Sequence, residues 1–128
     1  MNLSMIAYLV PDYDAGITFL SGLGFTLQRD EDQGGGKRWV VMAAPGGGSN
    51  LLLARALGDQ AAAIGRQAGG RVGFFLTTPD FAADAARIIG AGATFEEPPR
   101  HEPYGIVAVF RDPFGNRWDL IEPATPLA

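Results

Sequence analysis

The sequence predicts an α+β fold made of two tandem strand–helix–strand–strand–strand modules, and three observations predict it. Turn and helix punctuation recurs at a fixed offset of 68 residues. Pro11-Asp12-Tyr13 returns as Pro79-Asp80-Phe81, and Gly22, Gly24 and Thr26 return as Gly90, Gly92 and Thr94. Pro45, Gly47 and Leu52 return as Pro113, Gly115 and Leu120. Each copy holds one stretch with helical spacing, Tyr13/Ile17/Leu20 and Phe81/Ala85/Ile88. Short β-compatible runs bounded by glycine and proline surround each of these stretches. A constant offset across several turn residues marks two similar supersecondary units.

The elements follow in order. Residues 3–10 form an apolar run with strand character, ended by Pro11-Asp12, where the aspartate suits a helix N-terminus. The helix that follows stops at Gly22 and Gly24. Residues 25–29, 37–43 and 51–55 are the next three strands, with Gly34-Gly35-Gly36 and Gly46-Gly47-Gly48 as their turns. Residues 58–70 are an Ala-rich linker with room for a short helical turn. The cycle restarts with a strand at 72–77, a helix from about Pro79, and strands at 94–96, 106–111 and 117–121. Neither helix is long enough to hold alone, so each must pack its apolar stripe on a sheet.

At 128 residues the chain is expected to be a single domain, with module one at 1–57, the linker at 58–70 and module two at 71–128. Hydrophobic residues make up 47%, too many for disorder. A net charge of -4 without runs of like charge argues against a nucleic-acid partner, and no apolar stretch is long enough to span a bilayer. The start, Met1-Asn2-Leu3-Ser4, lacks a basic region or cleavage site, and there is no cysteine, so the expected location is cytoplasmic. His101 is the only histidine, which excludes any site needing two imidazoles from one chain. Neither glycine cluster is a phosphate loop. Around Gly36-Lys37 the pattern fails at Glu31 and Arg38, and Gly46-Gly47-Gly48 precedes a strand instead of a helix.

Val10-Pro11-Asp12-Tyr13-Asp14 at the first helix, Asp112-Pro113-Phe114-Gly115-Asn116 before the last strand and the duplicated module together resemble the vicinal oxygen chelate superfamily. That group includes glyoxalase I, extradiol dioxygenases and the bleomycin- and fosfomycin-resistance proteins. The resemblance covers nearly the whole chain. It implies a curved, eight-stranded mixed sheet around a cleft, helices on the outer face, and a homodimer. It also implies four metal-ligand positions, on the first and last strands of each module. Those on the first strands lie seven residues before the helix-opening aspartate, at Met5 and Gly73. The last-strand position of module two is Asp119, seven residues after Asp112, and subtracting 68 gives Leu51.

Only Asp119 among these four is a hard-metal ligand, since a thioether suits soft ions and leucine and glycine offer no donor. No metal cofactor is therefore expected. Strand alternation from the same positions places Leu53, Phe75, Arg117 and Asp119 in the cleft with Met5, Leu51 and Gly73, where Gly73 leaves room in the floor. Arg117 and Asp119, two apart on one face, suit either mutual neutralisation or ligand contact. The loop Pro98-Pro99-Arg100-His101-Glu102-Pro103-Tyr104-Gly105 falls where the superfamily has cleft-mouth segments. It adds Tyr104 as a contact residue and His101 and Glu102, with Asp119, as the weak catalytic candidates. The expected function is binding of a small, largely apolar or aromatic molecule without a catalytic metal. The alternative is a lyase, isomerase or dioxygenase using a divalent Zn, Fe, Mn or Ni ion.

Overall fold

The computed structural model describes residues 1–125. Residues 126–128, the end of the expected second module, lie outside the described residues. The chain divides into two compact units, Met1–Ile64 and a second beginning at Gly65.

In the first unit, β1 (Met5–Val10), α1 (Tyr13–Gly22), β2 (Thr26–Asp32), β3 (Arg38–Ala43) and β4 (Asn50–Arg55) form a four-stranded sheet in the order β1-β4-β3-β2, and a 3-10 turn follows at Gly58–Ala63. In the second, β5 (Val72–Thr77), α2 (Phe81–Gly90), β6 (Thr94–Phe95), β7 (Arg100–Glu102), β8 (Gly105–Arg111) and β9 (Arg117–Pro123) form a five-stranded sheet. Its order is β5-β9-β8-β6, with β7 also on β8. The fold class is α+β, as predicted. The single eight-stranded sheet is corrected to two sheets with nine strands among the described residues. The additional strand is β7, three polar residues of the proline-stiffened loop, too short to carry a strand signal by itself.

The helices start and stop by the same devices. Asp12 accepts a hydrogen bond from the Ala15 N–H at 2.8 Å, and Asp80 one from the Ala83 N–H at 3.1 Å. At the far ends the Phe25 and Ala93 N–H groups donate to Leu20 and Ile88, and Gly24 and Gly92 donate to Ser21 and Ile89. Such closure needs the left-handed backbone that glycine provides, and Gly24 and Gly92 have φ of 99° and 103°.

Each helix covers one face of its own sheet. Gly16 lets α1 approach so closely that a Cβ there would stand 2.9 Å from both Val10 and Leu53. Tyr8, Val10, Leu20, Val40, Met42 and Leu53 are almost wholly buried, each such aliphatic side chain worth roughly 1.5–3 kcal/mol. In the second unit Trp118 stacks on Phe74 at 4.6 Å and on Phe110 at 5.7 Å, and Phe95 joins Phe110 to Phe81.

The two units differ by one residue where it matters most. Residues 44–49 connect β3 to β4, six residues, whereas residues 112–116 connect β8 to β9, five. The 68-residue offset therefore holds through β3 and falls to 67 in β4. The register agrees: Ala7 pairs with Leu52, and its counterpart Phe75 pairs with Asp119. A one-residue slip moves every side chain of a strand to the other face.

Candidate functional site

Asp112 sets the geometry of β9. It is 4% exposed, and its Oδ1 accepts from the backbone N–H groups of Phe114 and Asn116, both at 2.9 Å. Its Oδ2 accepts from the Asn116 side-chain amide at 2.9 Å and the Trp118 indole N–H at 3.0 Å. A buried carboxylate is tolerated when donors surround it, and these four fix where the strand begins. Trp118 and Leu120 then turn toward α2, and Arg117, Asp119 and Ile121 toward the helix-free face.

That helix-free face is crowded with charge. Cross-strand pairing puts Val107, Val109 and Arg111 beside Ile121, Asp119 and Arg117, with Arg100 and Glu102 beyond Val107. Arg117 donates from Nε and Nη2 to Glu96 at 2.8 and 3.0 Å, and Arg111 pairs with the same carboxylate at 2.9 Å. The Arg117 hydrogen bond, chiefly, holds the Glu96 carboxyl below its ordinary pKa. Arg100 bridges Glu97 and Glu102, and the second oxygen of Glu97 accepts from the Val109 N–H at 3.1 Å.

Asp119 stands apart in this network. Its Oδ1 is buried and has no hydrogen-bond partner among the described residues. Burial, first, pushes its carboxyl above the ordinary range. Arg100 opposes that shift, Glu97 adds to it and Arg117 opposes it again. The mutual neutralisation of Arg117 and Asp119 considered from sequence is thus replaced by an Arg117–Glu96 pair. Phe75, the cross-strand partner of Asp119, is 63% exposed on the same face.

The remaining predicted residues divide. Met5 lies on the helix-free side of β1, with Ala7 and Leu9, by alternation with the buried Tyr8 and Val10. Leu51 and Leu53 do not lie on that face. Both are buried on the α1 side, paired with Met42 and Val40, and the helix-free position is Leu52. The constant-offset projection missed the extra turn residue. Gly73 sits at a register shift in β5 and leaves no space in a floor, because a Cβ there would stand 2.9 Å from the Cβ of Ala68. Tyr104, 57% exposed, is in the β7–β8 turn. Glu102 is on the Asp119 face but paired with Arg100, whereas His101 registers with Ile106 on the opposite face and is exposed. Sequence reasoning missed Glu96 and Glu97. The available signal was two adjacent carboxylates just before a Pro-Pro stop, near three arginines of the same module.

The donor set does not fit a divalent ion. Met5, Leu52 and Gly73 offer at best a thioether, and no group of three or more His, Cys, Asp or Glu among the described residues is placed to hold a metal.

The family description "Glyoxalase/Bleomycin resistance protein/Dioxygenase superfamily" matches residues 2–120. The chain belongs to this superfamily. A protein of Shewanella frigidimarina (strain NCIMB 400) is 49% identical over 121 residues, covering 91% of this chain and 90% of that one. Among solved structures, UcmS2 superposes with a TM-score of 0.76 at 26% identity, over 95% of this chain and 98% of the other. TnmS3, an antibiotic binding protein from Streptomyces sp. CB03234, does so with a TM-score of 0.72 at 28% identity, over 97% of each chain. For this superfamily member, no helix among the described residues is long and apolar enough to cross a membrane.

Proposed function

We propose that this superfamily member binds a small, largely apolar or aromatic molecule and does so without a catalytic metal. The donor set carries the reading. Of the four positions at which the resemblance implies ligands, only Asp119 presents an oxygen, whether Leu51 or Leu52 is counted. A single carboxylate does not hold Zn, Fe, Mn or Ni against water. The neighbouring carboxylates Glu96, Glu97 and Glu102 are engaged by arginines, so their recruitment as ligands would break existing pairs. Exposed Phe75 and Tyr104 supply aromatic contact surface, and the likeness to an antibiotic binding protein over nearly the whole chain supports binding over turnover.

Elemental analysis of protein purified without chelator tests the reading, alongside thermal-shift titration with aromatic compounds. Absence of a stoichiometric divalent ion is expected, together with a melting temperature that climbs with ligand concentration. One tightly held ion per chain would overturn it. The same proposal includes a homodimer, since both sheets end in edge strands, and a cytoplasmic location consistent with a cysteine-free chain. A monomer by light scattering at micromolar concentration would remove the dimer.

A further inference from the structure

We infer that the helix-free face of the second unit selects ligands whose aromatic body carries a protonated nitrogen, the ring lying on Phe75 and the nitrogen pairing with the Asp119 carboxylate. This rests on the small-molecule reading above and names the class of ligand that reading leaves open.

Three observations converge on it. The first is an accounting of charge. The face carries four carboxylates, Glu96, Glu97, Glu102 and Asp119, against three guanidiniums, Arg100, Arg111 and Arg117. Every one of those guanidiniums is already bound to Glu96, Glu97 or Glu102, so none of the three is free to take an anionic ligand. The second is the orphaned oxygen. Asp119 Oδ1 is out of water and accepts from no described group, so this partly buried carboxylate is under-compensated, and a cation placed against its accessible edge offsets that cost. The third is placement. Phe75 and Asp119 are adjacent partners of parallel strands, so a ring on Phe75 brings a one-carbon amino substituent within reach of the carboxylate. A cation also gains from the negative face of the exposed ring itself.

The experiment compares three probes of one shape on the full-length protein by isothermal titration calorimetry: 2-naphthylmethylammonium, 2-naphthylmethanol and 2-naphthoate. On the wild type the ammonium is expected to bind about tenfold more tightly than the alcohol, with naphthoate the weakest. In Asp119→Asn the ammonium's advantage over the alcohol is expected to fall below about twofold, with an unchanged circular dichroism spectrum reporting an intact fold. Phe75→Ala is expected to weaken the ammonium and the alcohol alike. Equal binding of ammonium and alcohol by the wild type, or a preference that survives in Asp119→Asn, overturns this inference and leaves the small-molecule reading standing. Failure of all three probes to bind overturns the inference and counts against that reading too.

Discussion

The two long hairpin turns, residues 44–49 and residues 112–116, join equivalent strands by different means. The second is organised around one buried carboxylate with four donors, whereas the first is three positive-φ glycines in open space, closed by a Gly47–Ala44 backbone bond. The tight turn fixes register from within. The loose one leaves register to β4 itself, where Leu51 and Leu53 are held by burial against Met42, Val40 and α1. A turn that specifies geometry tolerates no insertion, and one that merely connects accepts an extra residue without moving the strand.

The largest effect on this contrast is expected from Asp112→Ala. It strands the Trp118 indole N–H, the Asn116 amide and two backbone N–H groups, and should lower stability by about 3 kcal/mol or more. Chemical denaturation is the measurement, and a loss below about 1 kcal/mol would show that the second turn does not depend on its carboxylate. Next comes a glycine inserted between Phe114 and Gly115, which makes the second turn as long as the first. It should cost about 2 kcal/mol by displacing the donors from Asp112.

Deleting Gly47 from the first turn is the mirror experiment and should cost less than about 1 kcal/mol. A slip of β4 would bring Leu51 and Leu53 out of the core at roughly 1.5–3 kcal/mol each, so the pairing of Val41 with Leu52 should persist in cross-strand nuclear Overhauser effects.

The smallest expected effect is at the pair of equivalent positions that the turns deliver, Leu52 and Asp119. Burial raises the Asp119 pKa in the folded state, so the folded protein holds this proton to higher pH than the unfolded chain. Stability from this group is therefore full below the unfolded carboxylate pKa of about 3.9 and declines as pH rises through the folded value. Asp119→Asn should raise the melting temperature at neutral pH, and the gain should vanish in acid. A gain that persists at low pH would assign the effect to something other than charge burial.

Much of this was legible in the sequence because it is local. Asp12 and Asp80 as caps, Gly24 and Gly92 as stops, and the strand at residues 72–77 follow from chemistry within a few residues of each position. The face of Leu51 and Leu53 was not legible, because projection from Asp119 by a constant offset passes through turns that share Pro and Gly at matching places yet differ by one residue. Nor was β7 as a strand, since Arg100-His101-Glu102 has no apolar alternation and pairs only because β8 offers it an edge. The Arg117–Glu96 pair spans 21 residues and depends on how β6 meets β8, which no spacing within β9 reveals.

The sequence by itself determined the duplicated α+β plan, the capped helices and the poverty of metal donors, all of which are properties of residue type and short spacing. Tertiary structure alone decided which strand face each residue occupies, which carboxylate each arginine takes, and that Asp119 Oδ1 is the acceptor left over. Those outcomes depend on register and on competition among distant partners, and both are settled only when the strands pair.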